Sequence, residues 1–186
     1  AETRGDGFAV IDVPSGLSVE DALTSVKANL GAATGAYAAA YYPWLLIPNT
    51  LRATPGSTRL QAPGAAMVGQ YLATDASRGV FKSPAGLNNR LALAVATERQ
   101  LTNAELDTLN VDSTPLNAIR QVPGAGIVSM GGRTLANNSN DRYINVRRSL
   151  IYIKKEMTDR SMFVVFENND ERLWSRIRTA LGSFLQ

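Results

Sequence analysis

Apolar runs and one amphipathic segment alternate along the first fifty residues. The run Phe8–Pro14 (FAVIDVP) ends at a proline and is typical of a buried strand. After Ser18, apolar residues recur at three- and four-residue spacing, which predicts a helix capped by Ser18. A second apolar run, Ala36–Pro48 (AYAAAYYPWLLIP), completes a strand–helix–strand unit, and such units join parallel strands. We therefore expect an α/β (α+β) fold with a central mixed β-sheet, strand–helix–strand units and flanking amphipathic helices.

The middle of the chain predicts two further helices and a hairpin. Small and apolar residues over Ala62–Arg78 follow a helical pattern, with a proline that fits the first turn. Thr102 and Glu105 stand at capping-box spacing and predict the start of a short helix. The runs IRQV and IVSM flank Pro123–Gly126 (PGAG), which predicts two paired strands joined by a tight turn.

The last third of the chain carries the strongest helical periodicity. Asp141 is a candidate N-cap, and the helix after it is predicted to bury Val146, Leu150, Ile153 and Met157. The segment Phe163–Glu167 (FVVFE) predicts a short strand, and Asp170 is predicted to cap a final helix. The apolar face of that helix comprises Leu173, Trp174, Ile177, Leu181 and Phe184.

Composition excludes most familiar catalytic chemistry. The 186-residue chain contains no cysteine and no histidine, so it has no thiolate nucleophile, no Cys/His zinc site and no histidine-based triad. The glycines of PGAGIVSMGGR do not fit the dinucleotide-binding spacing. The acidic run Glu167–Glu171 (ENNDE) offers three carboxylates, but its place before a helix favours capping over metal binding. We expect neither an enzyme nor a bound cofactor.

Positive charge is concentrated near the C-terminal end. The net charge is +3, and residues 131–186 alone carry 10 cations and 6 anions, an excess of 4. A solvated amphipathic surface and a surface for an acidic partner both explain this pattern. Nucleic acid fits less well, because Trp174 and Phe184 fall on the apolar face of the last helix and are not interleaved with its arginines.

Several stretches, taken in order, resemble the core of contractile tail sheath proteins. They are RGDGFAVIDVP, YAAAYYPWLLIP, PGAAMVGQYLATDASRGVFKSPAG, LNAIRQVPGAGIVSMGGRTL, DRYINVRRSLIYIKKEM and FVVFENNDERLWSRIRTALGSFL. Sheaths of this family occur in bacteriophages with contractile tails, in tailocins and in extracellular injection systems. Met130 departs from the pattern, since relatives often have tryptophan before Gly131. The resemblance implies that residues 1–186 are a sheath core domain, a fragment without the N- and C-terminal strand-exchange arms.

The resemblance also implies a function without catalysis. Six subunits of such a sheath form a ring, and the rings stack around an inner tube. Contraction re-packs nearly rigid subunits and drives the tube through the target envelope. The implied partners are other sheath subunits, the inner tail tube protein, the baseplate and the tail terminator, without membrane insertion or nucleic acid. The implied location is the virion tail, assembled in the host bacterial cytoplasm. The alternative is a non-enzymatic α/β binding module that recognises an acidic protein or nucleic acid.

Two sets of basic residues are candidate contact sites. The last helix resembles the segment that holds a sheath to its tube, which implies inner-tube contact by Arg172, Arg176 and Arg178. A second set is predicted to contact neighbouring sheath subunits, and it comprises Arg147, Arg148, Lys154, Lys155, Arg78 and Lys82.

Overall fold

The computed structural model describes residues 5–29, 35–51, 54, 56–111, 114–136 and 140–185. Within them, the strands are β1 (Ala9–Asp12), β2 (Ala38–Tyr42), β3 (Leu45–Pro48), β4 (Thr58–Gln61), β5 (Ala96–Thr97), β6 (Asn117–Val122) and β7 (Gly126–Ser129). The helices are α1 (Val19–Asn29), α2 (Pro63–Arg78), α3 (Asn103–Val111), α4 (Ile144–Arg160) and α5 (Glu171–Leu185). The α+β class predicted from the sequence is confirmed.

The central sheet is mixed and has the strand order β1–β2–β6–β7. β1 and β2 are parallel, with Ala9 opposite Ala38, as expected of strands joined by α1. β6 and β7 form the predicted antiparallel hairpin. Gly124 and Gly126 have φ of 79° and 83° in its turn, a backbone conformation that glycine adopts without steric cost.

The predicted strand Ala36–Pro48 is divided between two sheets. The chain turns at Pro43, so that β2 enters the central sheet and β3 enters an antiparallel sheet of order β4–β3–β5. The sequence did not predict β4, whose residues TRLQ are largely exposed and lack the alternating apolar pattern of a half-buried strand.

Alternate residues of β2 face two separate cores. Ala38, Ala40 and Tyr42 pack in the cluster that contains buried residues of α1 and α3. Ala39 and Tyr41 pack on the other side, in the cluster that contains α2 residues and the start of α4. This alternation places α1 and α3 on one face of the sheet and α2 and α4 on the opposite face.

Local capping follows the sequence at three helix starts. The amide of Asp21 donates to Ser18 Oγ at 3.2 Å. Thr102 and Glu105 form a reciprocal capping box, with Thr102 N to Glu105 Oε2 at 2.8 Å and Glu105 N to Thr102 Oγ1 at 3.3 Å. The hydrogen bonds from Thr102 hold the pKa of the Glu105 carboxyl below its usual value. At α5, Leu173 N donates to Asp170 Oδ1 at 2.8 Å.

Two predictions for the last third are wrong. Tyr143, not Asp141, occupies the N-cap position of α4, and the Asp141 carboxylate instead pairs with Arg147. The segment Phe163–Glu167 is not a strand: Met162–Val164 form a 3₁₀ turn, and Phe166 has a positive φ of 68°. A strand needs a paired neighbour, and none of the described strands pairs with this segment, which instead connects α4 to α5.

The prediction of which α4 residues are buried is also largely wrong. Val146 and Leu150 are exposed, and Ile144 is the residue of α4 that enters the core.

In the described part of the chain, no helix has the length and apolar character needed to cross a membrane.

Candidate interaction surface on the C-terminal helices

Two of the three predicted tube-contact arginines share one side of α5. Arg172 and Arg176 are exposed and lie around a shallow pocket together with Phe163. The Arg176 Cζ atom stands 4.9 Å from the centre of the Phe163 ring, a cation–π geometry that orients the guanidinium. Arg178 is exposed but does not line this pocket, because six residues of helix turn it about 120° away from Arg172.

The apolar face of α5 is only partly covered. Leu173 is buried, whereas Trp174 is half exposed and its indole donates to Asn169 Oδ1 at 2.7 Å. Phe184 contacts Tyr152 of α4 with ring centres 6.3 Å apart, and the Arg160 guanidinium lies 4.7 Å from the Phe184 ring. Few side chains therefore attach α5 to the rest of the described chain.

Two arginines that were predicted to contact neighbouring subunits are engaged inside this one. Arg148 forms a bidentate pair with Asp75 of α2, with Nη1 to Oδ1 at 3.0 Å, and stacks 4.6 Å over the Tyr71 ring. Arg147 pairs with Asp141 and lies 4.6 Å over the Tyr37 ring. Their side chains are only 14% and 11% exposed. Arg147 and Arg148 therefore both anchor α4 within the subunit. An additional role for them in contacts between subunits stays a prediction.

Beneath Arg148, two tyrosine hydroxyls form a buried pair. Tyr41 OH and Tyr71 OH lie 2.6 Å apart. Burial raises the pKa of Tyr71 to about 12 and raises the pKa of Tyr41 well above its usual value. Both hydroxyls are therefore neutral at physiological pH, and the pair acts as a structural link between α2 and β2.

The other predicted inter-subunit residues lie at the surface. Lys154 and Lys155 are exposed on α4, and Lys155 Nζ is 3.6 Å from Asp159 Oδ2. Arg78 ends α2, and Lys82 follows in the loop that Gly79 opens with a φ of 88°. The Phe81 carbonyl in that loop accepts a hydrogen bond from Asn145 Nδ2 at 3.0 Å, which holds the loop against α4.

Two apolar surfaces were missed by the sequence reasoning. One is a groove between α2 and α4, here called the α2–α4 groove, lined in part by Val68, Leu72, Val80, Phe81, Tyr152 and Leu185. The other is the turn between α4 and α5, here called the hairpin tip, whose exposed apolar residues are Met162, Val165 and Phe166. Val68 and Leu72, two apolar residues of α2 that line the groove, were the available signal in the sequence.

The acidic run before α5 serves as the sequence predicted. Its Asp170 caps the helix. Among the residues that the structure describes, no three acidic, histidine or cysteine side chains cluster in a way that could hold a metal ion.

A search of the solved structures places this fold in the class of contractile sheath proteins, as the sequence motifs predicted. The chain matches the extracellular contractile injection system PVC sheath complex in its contracted state, with 31% identity and a TM-score of 0.84, over 97% of this chain and 48% of the matched one. It matches a chain of the anti-feeding prophage (AFP) baseplate with 29% identity and a TM-score of 0.76, over 96% and 43%. The AFP helical sheath in its contracted state matches with 26% identity and a TM-score of 0.71, over 95% and 53%.

These matches confirm the resemblance to the contractile sheath family over almost the whole chain, as the ordered motifs predicted. The chain spans about half the length of the structures that it matches. A scan against protein-family models finds no match, and neither does a search of curated proteins.

Proposed function

We propose that this chain is the core of a structural subunit of a contractile sheath. The observation that carries the proposal is the match to the PVC sheath complex, at 31% identity and a TM-score of 0.84 over 97% of the chain. In the proposed assembly, six subunits form each ring, and stacked rings surround an inner tube. Contraction re-packs the subunits as nearly rigid bodies and drives the tube through the target envelope, without catalysis or a bound nucleotide.

The exposed arginines of α5 are the proposed contact with an acidic inner tube. Arg172 and Arg176 present two guanidinium groups on one side of the helix, and Arg178 presents a third from another side. Exposed ion pairs contribute only about 0–1 kcal/mol each. A ring of subunits repeats the contact, so many weak pairs act together and can separate one by one during contraction.

The proposed partners go beyond the tube. The sheath would contact its own copies, the baseplate and the tail terminator, in a virion tail or a related injection particle assembled in bacterial cytoplasm. The sheath and baseplate assemblies among the matched structures support self-assembly of this kind.

Electron microscopy tests the sheath function directly. The complete gene product that contains this chain should form rings or striated tubes, and the 186-residue chain should be compared beside it. Assemblies of sheath-like diameter are expected for the complete product. A product that stays small and monodisperse at every salt concentration contradicts the proposal and favours a binding module for an acidic partner.

Charge reversal tests the tube contact. The variant Arg172→Glu/Arg176→Glu should lose most co-sedimentation with tubes of the same system, and the loss should be largest at low salt, where surface pairs are least screened. Lys27→Glu/Arg59→Glu is the matched control, since it changes the charge equally at exposed residues of α1 and β4. Equal co-sedimentation of the two variants contradicts the assignment of the contact to α5.

A further inference from the structure

α5 is buried far less than a helix of similar length in the same subunit. α5 has 15 residues and α2 has 16. α2 has five buried residues, among them Met67 and Tyr71, whereas Leu173 is the buried residue of α5. Neither core cluster of the described chain includes a residue of α5. Because most helical stability in proteins comes from packing an apolar face, α5 is held more weakly than α2.

The polar contacts of α5 do not fasten it to other elements. Among the described residues, its side-chain hydrogen bonds stay within residues 169–179. For example, Thr179 Oγ1 donates to the Ser175 carbonyl at 3.0 Å. In the same part of the chain, no ion pair joins α5 to another element. These local bonds move with the helix and do not oppose its separation from α4.

Aromatic contacts hold α5 beside α4. The Phe184 ring lies 6.3 Å from the Tyr152 ring, and the Arg160 guanidinium lies 4.7 Å from the centre of the Phe184 ring. Nearer the start of α5, Arg176 stacks over Phe163 in the turn. Cation–π contacts at exposed sites are weak. Phe184 is therefore the residue that attaches the far end of α5 to α4.

The hairpin tip has the properties of a hinge. Residues 165–172 are all exposed. The described backbone hydrogen bonds of this turn join near neighbours, such as Glu167 N to the Val164 carbonyl at 3.1 Å. Phe166 has a positive φ of 68°, which is uncommon for a bulky residue. A short exposed segment of this kind can change its φ and ψ angles without disturbing core packing.

α4, in contrast, is fixed to the core at its start. Ile144 is fully buried, and Arg147 and Arg148 pair with Asp141 and Asp75. The attachment of the C-terminal hairpin is thus uneven, strong at the start of α4 and weak along α5.

We propose that α5 is a hinged arm, which separates from α4 as a unit while the core of the subunit stays folded. The arm turns about the hairpin tip and gives up the contacts of Leu173 and Phe184. Elements with few buried apolar contacts open at free energies below that of global unfolding. The consequence for contraction rests on the proposed sheath function: the α5 arginines stay on the tube while the core begins to move.

Hydrogen exchange of the 186-residue chain tests the hinge, with α2 as the internal control. A detached helix of 15 residues is marginal in water, so its amides exchange when α5 opens. We expect protection factors for amides 175–182 that are roughly 100-fold below those for amides 67–74, and similar to one another. Equal protection of the two helices overturns the proposal. Protection that falls steadily towards the end of α5 indicates fraying and overturns it as well.

Two phenylalanine truncations test the attachment. Phe184→Ala removes the contacts with Tyr152 and Arg160, so exchange of amides 175–182 should become about tenfold faster while α2 keeps its protection. Phe166→Ala is the matched control, because Phe166 is 103% exposed. It should change α5 exchange by less than about threefold. The proposal is wrong if the two variants exchange α5 amides at the same rate.

A covalent link between the helices tests the motion itself. Ser149 of α4 and Leu185 of α5 line one pocket. The chain contains no cysteine, so a short bismaleimide reacts only at Ser149→Cys and Leu185→Cys. The linked chain should protect amides 175–182 about tenfold more than the same double variant capped with N-ethylmaleimide. Equal exchange of the linked and capped chains contradicts separation of α5 from α4.

Electron microscopy separates this inference from the proposed function. If the complete product forms rings or tubes but α5 is as protected as α2, the hinge is wrong and the sheath function stands. If α5 opens independently in the 186-residue chain but the complete product forms no rings or tubes, the hinge is supported and the sheath function fails.

Discussion

Replacing Arg148 with methionine should destabilise the subunit, because Arg148 anchors α4 to α2. The substitution keeps the unbranched stem of the side chain and removes the guanidinium. It thereby removes both hydrogen bonds to Asp75 and the stacking over the Tyr71 ring, while the Asp75 carboxylate stays in place without its cation. The change acts between two helices of one subunit, so it should be visible in an isolated chain.

The expected loss of stability follows from how deeply the Arg148–Asp75 pair is buried. Breaking a fully buried pair costs about 3–5 kcal/mol, and breaking an exposed pair costs about 0–1 kcal/mol. The side chains of Arg148 and Asp75 are 14% and 21% exposed, nearer the buried limit. The cation–π contact adds about 1 kcal/mol. We expect Arg148→Met to lower the free energy of unfolding by roughly 3 kcal/mol.

Urea unfolding followed by circular dichroism measures the effect. Lys155→Met is the control, since it removes an exposed pair on the same helix and should change stability by less than about 0.5 kcal/mol. Adding Asp75→Asn to Arg148→Met should cost about 1–2 kcal/mol less than the sum of the single changes, because no carboxylate is left unpaired. An Arg148→Met variant as stable as the control would refute the anchoring role and return Arg148 to the candidate inter-subunit contacts.

Three further predictions concern stability. As pH rises from 8 to 11.5, the Tyr71 phenol ionises first in the unfolded chain, because burial raises its pKa to about 12 in the folded state. The free energy of unfolding should therefore fall by roughly 2 kcal/mol between urea titrations at pH 8 and 11.5, and Tyr71→Phe should lose this contribution. Asn117→Ala should cost roughly 3 kcal/mol in the same assay, because buried Asn117 bonds to the Ala40 and Arg133 backbone; a cost below 1 kcal/mol would contradict this. Phe166→Gly should preserve or raise the melting temperature in calorimetry, because it relieves the positive φ, and a clear fall would mean that Phe166 packs within its own chain.

Features that depend on neighbouring residues were predictable from the sequence. The caps at Ser18, Thr102 and Asp170 each join atoms within three residues, and all three formed as predicted. The hairpin around PGAG is equally local, because its turn needs glycines at fixed positions. The parallel pairing of β1 and β2 followed from the general handedness and connectivity of strand–helix–strand units.

The candidate site was predictable only in part. The sequence predicted an exposed basic side of α5 correctly, because a helical period separates arginines from apolar residues along a single element. It did not separate Arg178 from Arg172 and Arg176, and it did not find the α2–α4 groove. The groove forms from residues of α2, α4, α5 and the loop after α2, which are distant in the chain.

Tertiary structure alone decided the orientation of α4 and the conformation of the FVVFE segment. Arg148 turns inward because Asp75 and Tyr71, more than seventy residues earlier, offer it a carboxylate and a ring. Phe163–Glu167 has the composition of a strand, but a strand forms only where another strand is available to pair with it. Helical periodicity and capping are short-range and can be deduced from residue order. Ion pairing between helices and strand pairing depend on which distant segments the fold brings together.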